Sequence, residues 1–147
     1  MWPFKNMMPK NDGLMKAKKK ISITAVRLKD DNTFSLFVVG ESNYQGALRN
    51  LAGGHTKEGV KLEKLALLVP EPTNAFDSNA VFVMIDDKKV GYLSRDDAVD
   101  FHSSMHGLGK RGSVAAVDSV IVGGFIKKDG SKAHFGVRLD LSFPFDT

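Results

Sequence analysis

Residues 80–93, AVFVMIDDKKVGYL, determine the fold class of this chain. The first six residues form an apolar run rich in Val, and residues 90–93 form a second, shorter run. Both compositions are typical of buried strands. Four charged residues (86–89) separate the runs, which is typical of a tight turn. We therefore predict a β-hairpin whose two strands both contribute to the core.

Strands are also predicted on both sides of this hairpin. Residues 21–39 contain two β-rich segments around the polar turn KDDN (29–32), and we predict that they pair as a hairpin. Towards the C-terminus, residues 113–126 and 133–143 are predicted strands joined by the turn KKDG (127–130). With a further strand at residues 64–69, the chain has six or seven strands, most of them joined by hairpins. This arrangement predicts a mostly β fold, a small and mostly antiparallel β-barrel.

Two short helices interrupt the strands. In the first, residues recur at the spacing of one helical face: Tyr44, Ala47, Leu48 and Leu51. Gly53 follows as a C-terminal cap. The second is predicted to begin after Ser94, because Ser is a good N-cap residue and two Asp follow in the first turn. Its apolar side is predicted to comprise Ala98, Phe101 and Met105.

The chain has 147 residues, enough for one globular domain, and contains no Cys. The absence of Cys excludes a disulfide framework, a thiolate metal site and a cysteine nucleophile. No apolar run approaches the roughly 18 residues that span a bilayer. Residues 1–5, MWPFK, lack the apolar core of a secretory signal. We therefore expect a soluble cytoplasmic protein with no membrane partner.

The formal net charge of +4 is divided unevenly along the chain. Residues 1–30 contain eight Lys and Arg against two Asp, whereas residues 31–147 contain thirteen Lys and Arg against fifteen Asp and Glu. We divide the chain into a basic flexible N-terminal arm, residues 1–19, and a β-barrel domain, residues 20–147. Such an arm attracts phosphates or acidic surfaces without regard to sequence, and it serves equally well as a solubilising tail.

Several kinds of catalytic or metal site are not supported. His102 and His106 stand one helical turn apart, a spacing that suits a metal, but no third ligand is apparent. We predict a structural or solvated role for this pair. Gly107 and Gly109 lie near Lys110 without the residue order of a phosphate-binding loop. No Ser or Thr stands in a recognisable nucleophile motif. We therefore predict no enzyme activity, no metal and no cofactor.

The segment before the hairpin, EPTNAFDSNAV (71–81), is the most informative in the chain. Its Pro restricts the backbone, and its Asn and Asp side chains are suited to bond nearby backbone amides. That local role does not account for Phe76, a large apolar side chain at the tip of a polar loop, where exposure is unfavourable without a partner. A calcium loop is excluded because the later Gly and the bidentate Glu are missing.

Three motifs occur in order between about Phe37 and Phe143, some three-quarters of the chain. The most specific are the segment just described and the Val-Gly-Tyr-Leu that follows it. The motif residues are Val39, Gly40, Tyr44, Gly46, Leu67, Pro70, Glu71, Pro72, Asn74, Phe76, Asp77, Asn79, Ala80, Val81, Val83, Val90, Gly91, Tyr92, Leu93 and Ala98. Together they resemble the HIRAN domain family.

The resemblance implies a modified OB-like β-barrel with two short helices, which agrees with the elements predicted above. In eukaryotic members, which are fork-remodelling helicases, the domain binds single-stranded DNA and recognises a free 3′-hydroxyl end. Bacterial and phage members are often free-standing. The resemblance therefore implies a non-enzymatic nucleic-acid-binding domain in DNA repair or replication-fork processing. Its ligand would be single-stranded DNA or DNA 3′ ends, and its partner protein a helicase or a nuclease.

The resemblance also assigns roles to individual residues. The binding loop corresponds to Asn74, Phe76 and Asp77. Phe76 would stack on the terminal base, a contact worth about 1–3 kcal/mol in single-strand binders. Asp77 would accept a hydrogen bond from the 3′-hydroxyl and repel a 3′-phosphate. The other residues implied are Tyr44 in the first loop, Tyr92 against a base or phosphate, Arg95 on a phosphate and Phe135 as a second base-contacting aromatic.

Departures from the family pattern leave a second interpretation open. Ser42 and Asn43 stand where the helicase domains have an Arg and a stacking Tyr, so one phosphate contact and one stacking platform are lost. Lys110, Arg111 or the N-terminal arm would have to replace them on the phosphate backbone. The alternative is a protein-interaction or regulatory module that keeps the barrel and has lost the DNA pocket. A small hydrolase is a third, less favoured alternative, because no acid–base pair is visible.

Overall fold

The structure, a computed structural model, describes residues 24–145. The predicted N-terminal arm, residues 1–19, lies outside this range. In chain order the elements are β1 (Ala25–Arg27), β2 (Leu36–Phe37), a short 3₁₀ helix (Glu41–Tyr44), α1 (Gln45–Ala52), β3 (Val60–Pro70), β4 (Val81–Ile85), β5 (Lys88–Tyr92), α2 (Arg95–Gly107), β6 (Val114–Gly123) and β7 (Phe135–Leu139).

The strands form one curled sheet that closes on itself. Its order is β2-β7-β6-β3-β4-β5, with every neighbouring pair antiparallel, and β1 lies parallel to β6. The first and last strands of this order, β2 and β5, come together just after β2, where Val39 and Tyr92 exchange backbone hydrogen bonds of 2.8 and 2.9 Å. Gly91 permits this closure, because a Cβ there would collide with the Val38 side chain. The predicted mostly β fold, an OB-like antiparallel barrel with two short α-helices, is confirmed.

The hairpin predicted within residues 80–93 is present, but its turn is shorter than the predicted one at residues 86–89, because β5 already begins at Lys88. β4 and β5 pair around a two-residue turn in which Asp86 and Asp87 have positive φ angles of 48° and 66°. Positive φ at both central residues matches the twist of the flanking strands, and Asp tolerates it better than most residues. Val81, Val83 and Ile85 alternate along β4 and are fully buried. The hairpin thus places one face of β4 in the core and leads the chain directly into α2.

The predicted hairpin at residues 21–39 is wrong. Among the described residues of this segment, β1 pairs with β6 and β2 pairs with β7. Leu28 and Leu36 are each 7% exposed, so the two halves of the segment bury apolar side chains beside different strands. Arg27 also ties β1 to β6, because its Nη2 lies 2.6 Å from Asp118 Oδ1. The polar turn was correctly located, but burial, rather than the turn, selects the pairing partner.

Both predicted helices are present, although Tyr44 lies on the 3₁₀ helix that precedes α1. In α1, Leu48 is fully buried, and the helix ends at Gly53, whose φ is 83° and whose N–H donates to the Arg49 carbonyl. In α2, Ser94 Oγ accepts a hydrogen bond of 3.1 Å from the Asp97 N–H. The buried residues of α2 are Ala98, Phe101, Ser104 and Met105. Of the helices in residues 24–145, none is long and apolar enough to cross a membrane.

Candidate nucleic-acid interface

The loop between β3 and β4 is braced by its own side chains. The Glu71 carbonyl accepts a hydrogen bond from the Asn74 N–H (3.0 Å). Asn74 Oδ1 in turn accepts from the N–H groups of Phe76 (2.9 Å) and Asp77 (3.0 Å). Asp77 Oδ1 accepts from the Asn79 N–H at 2.9 Å. These side-chain acceptors replace the backbone partners that a strand or helix would supply, so the loop has a defined conformation.

Phe76 stands at the tip of this loop with 87% of its surface exposed, the largest value among the exposed apolar side chains of residues 24–145. Its backbone is held from a second direction, because Arg95 Nη2 at the start of α2 donates to the Phe76 carbonyl at 3.2 Å. A fixed backbone under an exposed ring reduces the ordering cost of a stacking contact. The loop therefore presents an aromatic face to solvent from a preorganised position.

Asp77 offers an acceptor next to this ring. Its Oδ1 is engaged by the Asn79 N–H, and no group in residues 24–145 donates to its Oδ2. The residue is half-buried, so its position is constrained by the loop. A carboxylate accepts hydrogen bonds and donates none when ionised, and it repels a nearby phosphate. The side chain is thus suited to a hydroxyl and unsuited to a phosphate.

Glu71 connects the loop to β5. Its Oε1 accepts hydrogen bonds from Asn74 Nδ2 and from the Tyr92 hydroxyl, both 2.7 Å long. Its Oε2 pairs with Lys89 Nζ at 3.0 Å, and Lys89 Nζ also lies 3.0 Å from Tyr92 Oη. Lys89 Nζ further sits 4.4 Å from the centre of the Phe82 ring, within the range of a cation–π contact. The braced loop and the aromatic face of the hairpin therefore form one connected unit.

This network shifts the pKa values of its members. Hydrogen bonds from Asn74, Tyr92 and then Lys89 lower the pKa of Glu71. Burial raises the pKa of Tyr92, and donation to Glu71 raises it further. Burial alone would lower the pKa of Lys89, but its bonds to Tyr92 and Glu71 outweigh that effect and raise it. The site therefore holds a carboxylate, an ammonium and a neutral phenol over a wide pH range.

The sequence shows Glu71 only as part of a motif and predicts Lys89 in a turn, so it does not indicate that both residues connect the loop to β5. Strand alternation does not indicate it, because Lys89 and Tyr92 would lie on opposite faces of a regular strand. The one available indication is that Glu71 opens a loop rich in amide donors. Tyr92 itself is half-buried, its hydroxyl donates to Glu71, and Lys89 Nζ lies 5.0 Å from the centre of its ring.

Tyr44 is half-buried on the 3₁₀ helix, while Ser42 and Asn43 beside it are exposed. This helix packs against β5, and Glu41 at its start accepts a hydrogen bond from the Val137 N–H at 3.0 Å. Tyr44 thus lies on an element that neighbours β5. Within residues 24–145, no hydrogen bond links its side chain to the loop or to Arg95.

Phe135 does not belong to an exposed surface, and its predicted contact with a base is wrong. The side chain is only 2% exposed, and its ring centre lies 4.6 Å from that of His55. It occupies the space beside Gly124, where a Cβ would collide with the ring. The first residue of β7 faces the core because Gly124 has no side chain to compete for that space. Phe135 is a core residue.

The predicted cationic residues are all exposed, but they lie in different places. Arg95 is bonded to the loop through the Phe76 carbonyl. Arg111 lines two neighbouring cavities, of about 450 and 270 Å³, that both include Asn79 of the loop. Lys110 is the neighbour of Arg111, and its backbone N–H donates to the Met105 carbonyl at 2.8 Å. The structure therefore brings Arg95 and Arg111 to two sides of the loop.

One group of acidic side chains within residues 24–145 has the spacing for a metal ion, namely Asp30, Asp31 and Asp140, whose carboxylates lie within 4.8 Å of one another. It lies on segments other than the loop and α2. The pair His102 and His106 belongs to no such group among the described residues. His102 Nε2 lies 3.0 Å from the Asn79 carbonyl instead, so this ring contacts the loop.

Comparisons with known proteins add no relative: no family model, curated protein or solved structure matches the chain. The geometry of the loop and its neighbours is therefore the basis for the function proposed below.

Proposed function

We propose that this protein is a non-enzymatic nucleic-acid-binding domain that recognises single-stranded DNA at a free 3′-hydroxyl end. The observation that carries the proposal is the exposed ring of Phe76 on a braced loop, next to an available oxygen of Asp77. The resemblance of residues 37–143 to the HIRAN family, a proposal in itself, supports the same conclusion. The cellular context proposed with it is DNA repair or replication-fork processing, together with a helicase or nuclease.

Phe76 supplies affinity in this proposal. Every base has an aromatic face, so stacking on an exposed Phe is tolerant of sequence and contributes about 1–3 kcal/mol per base. The hydrogen bonds from Asn74 to the backbone of Phe76 and Asp77 hold the ring before the strand arrives. Little conformational entropy is then lost on binding.

Asp77 supplies end specificity. A terminal 3′-hydroxyl has a proton to donate to Asp77 Oδ2. The 3′ oxygen of an internal nucleotide is esterified and has no proton to donate. A 3′-phosphate places negative charge beside the carboxylate. Arg95, hydrogen-bonded to the Phe76 carbonyl, places a guanidinium on the adjacent side for the preceding phosphate. Tyr92 contributes its ring rather than its hydroxyl, which is bonded to Glu71.

A second candidate function, a protein-interaction or regulatory module on the same barrel, is favoured by one different observation. Phe37 and Val39 are 59% and 41% exposed at a groove of about 500 Å³. The core position of Phe135 and the change to Ser42 and Asn43 also reduce the number of base contacts available to DNA. Absence of DNA binding at low salt in the experiment below would favour this candidate.

The test is a fluorescence-anisotropy titration of labelled single strands that end in 3′-hydroxyl, 3′-phosphate or a blocked 3′ carbon, at two salt concentrations. The variants are Phe76→Ala and Asp77→Asn, with Phe37→Ala as a matched control, because it removes an exposed Phe from a different groove. We expect tighter binding to the 3′-hydroxyl strand, and a loss with Phe76→Ala of about 5- to 150-fold, the equivalent of one stacked base.

Each variant has its own decisive outcome. Asp77→Asn should reduce discrimination between 3′-hydroxyl and 3′-phosphate ends, because the amide no longer repels the phosphate. Phe37→Ala should leave affinity unchanged. Equal binding to all three ends by the unmodified protein would overturn end recognition. Equal losses in Phe76→Ala and Phe37→Ala would show that exposed apolar surface alone attracts the strand.

A further inference from the structure

Helix α2 carries opposite chemistry on two of its faces. Residues 99, 102, 103 and 106 follow the i, i+3, i+4, i+7 spacing of one helical stripe, which contains both His102 and His106. Asp97 and Asp100 line the groove beside β2, and Asp100 also shares a small cavity with Ser103. The helix therefore has an acidic groove on the side of Asp97 and imidazoles on the side of His102 and His106.

The imidazole stripe faces the loop that carries Phe76. His102 Nε2 lies 3.0 Å from the Asn79 carbonyl, and Asn79 is bonded through its N–H to Asp77 Oδ1. Two cavities, of about 450 and 270 Å³, share the residues Asn79, His102 and Arg111. They form one groove that runs from the loop, between α2 and residues 110–112, and its lining includes Ser78, two residues from Phe76.

The lining of this groove contains no Asp or Glu among the described residues. Its charged group is the guanidinium of Arg111, an exposed side chain that no residue in the range 24–145 engages in a hydrogen bond or ion pair. Further polar groups in the lining are the His106 imidazole and the Ser103 hydroxyl, whereas His102 Nε2 is engaged by the Asn79 carbonyl. Val99 supplies an apolar patch that is 52% exposed. The lining thus combines a cation with further polar groups and a small apolar surface.

We propose that this groove binds the phosphodiester backbone of the nucleotides that precede the 3′-terminal one. The inference rests on the proposed function, since it takes Phe76 and Asp77 as the seat of the terminal nucleotide. Arg presents donors in a planar fork that matches a phosphate, and the residues that line the two cavities include no carboxylate. The acidic groove on the other side of α2 repels a polyanion, so the strand is directed along the imidazole side.

With this groove, the protein contacts more than one nucleotide of the strand. A strand of one or two nucleotides occupies only the loop, whereas a longer strand also gains the contacts of Arg111 and His106. Each phosphate contact on a single strand adds about 0.7 to the slope of log affinity against log salt concentration. The groove therefore makes both the affinity and the salt dependence rise with strand length, while the preference for a 3′-hydroxyl stays the same.

The test measures binding of a thymidine dinucleotide and a thymidine octanucleotide, each with a free 3′-hydroxyl, to the full chain and to Arg111→Gln, His106→Gln and Phe76→Ala. Asp97→Asn is the matched control on the other side of α2, because Asp97 lines the groove beside β2. Inorganic phosphate is included as a competitor to distinguish a site for free phosphate from one for a strand. Thermal unfolding confirms that each variant is folded, which is expected because Arg111 and His106 are exposed.

We expect Arg111→Gln to weaken binding of the octanucleotide three- to tenfold and to leave the dinucleotide unchanged, with a salt slope lower by about 0.7. His106→Gln should act in the same direction, and Phe76→Ala should weaken both ligands. Equal losses for both lengths in Arg111→Gln would overturn the groove, as would no loss at all. So would full competition by millimolar phosphate.

The failure of the proposed function looks different from the failure of the groove. If the strand binds regardless of its 3′ end and Arg111→Gln still weakens only the octanucleotide, end recognition fails and the groove stands. If the 3′-hydroxyl preference and the effect of Phe76→Ala hold while Arg111→Gln has no effect, the groove fails and end recognition stands. Absence of binding by the unmodified chain overturns both.

Discussion

Lys89 Nζ lies 3.0 Å from Tyr92 Oη, although the two residues are three positions apart along one strand. In a regular strand, residues three apart point to opposite faces. The pairing of β5 with β4 shifts here: Met84 is opposite Lys89, but Val83 is opposite Gly91, so Val90 is an extra residue. This β-bulge returns Lys89 to the face that carries Tyr92, where both reach Glu71. The connection between loop and hairpin depends on that one irregularity.

The ion pair and hydrogen bonds of Glu71 make stability dependent on pH at the acid end. The folded pKa of Glu71 lies below its ordinary value of 4.5, so this carboxylate contributes stability above pH 4.5 and loses it as pH falls through the folded value. Glu71→Gln should cost about 1–2 kcal/mol at pH 7, because it removes the partner of Lys89 and one acceptor. The difference from the unmodified protein should shrink below pH 4.5.

Urea unfolding at pH 7 and at pH 3 measures this difference. The matched control is Glu63→Gln, an exposed carboxylate on β3, for which we expect a small effect at both pH values. A cost for Glu71→Gln that is the same at pH 3 and pH 7 would contradict the assignment.

The alkaline side of the stability profile has the opposite sign. Tyr92 and Lys89 have folded pKa values above their ordinary values of 10.0 and 10.5. Their contribution is therefore complete below pH 10 and is lost as pH rises through the folded values. Tyr92→Phe removes the titrating phenol, so it should weaken this alkaline loss. Unfolding measured between pH 9 and pH 11 tests it, and an unchanged alkaline profile in Tyr92→Phe would contradict the prediction.

Asn74 should control the rigidity of the loop. Its Oδ1 accepts from the N–H groups of Phe76 and Asp77, so Asn74→Ala should speed hydrogen exchange at these two amides roughly five- to tenfold, the equivalent of one net hydrogen bond each. Asn43→Ala, an exposed Asn on the 3₁₀ helix, is the control and should leave both rates unchanged. Exchange that is equally fast in the unmodified protein would mean that the brace does not persist in solution.

Two phenylalanines should differ sharply in their contribution to folding. Phe135 is 2% exposed, and Phe135→Ala should cost about 3–5 kcal/mol through lost burial and the resulting cavity. Phe76 is 87% exposed, and Phe76→Ala should change the free energy of unfolding by less than about 0.5 kcal/mol. Chemical denaturation measures both. A large cost for Phe76→Ala would show that the ring is covered in solution, for example by the part of the chain before residue 24.

We expect a substitution of Gly124 to destabilise the fold, because the Phe135 ring occupies the space beside it. A Cβ at Gly124, which has a φ of 67°, would collide with the Phe135 ring, so Gly124→Ala combines overpacking with backbone strain and should cost about 3 kcal/mol or more. Gly130→Ala isolates the backbone part, because Gly130 has a φ of 86° and open space around it. It should cost about 1 kcal/mol. Similar costs for the two variants would contradict the steric explanation.

Much of this structure follows from patterns that are short in sequence. The alternation of Val81, Val83 and Ile85, the polar turn after them, and the Ser94 cap of α2 were all predicted, because each depends on residues within one or two turns of chain. The bracing of the loop by Asn74 and Asp77 is local in the same way. The same local patterns predict no partner for Phe76 within the fold, and in the structure its side chain is exposed.

Other features depend on segments that are distant in sequence, and local patterns do not encode them. The two strands predicted to form the first hairpin pair with β6 and β7 instead of with each other. Phe135 faces the core because Gly124 has no side chain that would occupy the same space. The bulge at Val90 brought Lys89 to Tyr92, and the packing of α2 brought Arg111 beside Asn79. Strand elements were therefore readable from propensity and periodicity. Their partners, and the faces that became exposed, were set by which arrangement buries the most apolar surface while pairing every buried backbone group.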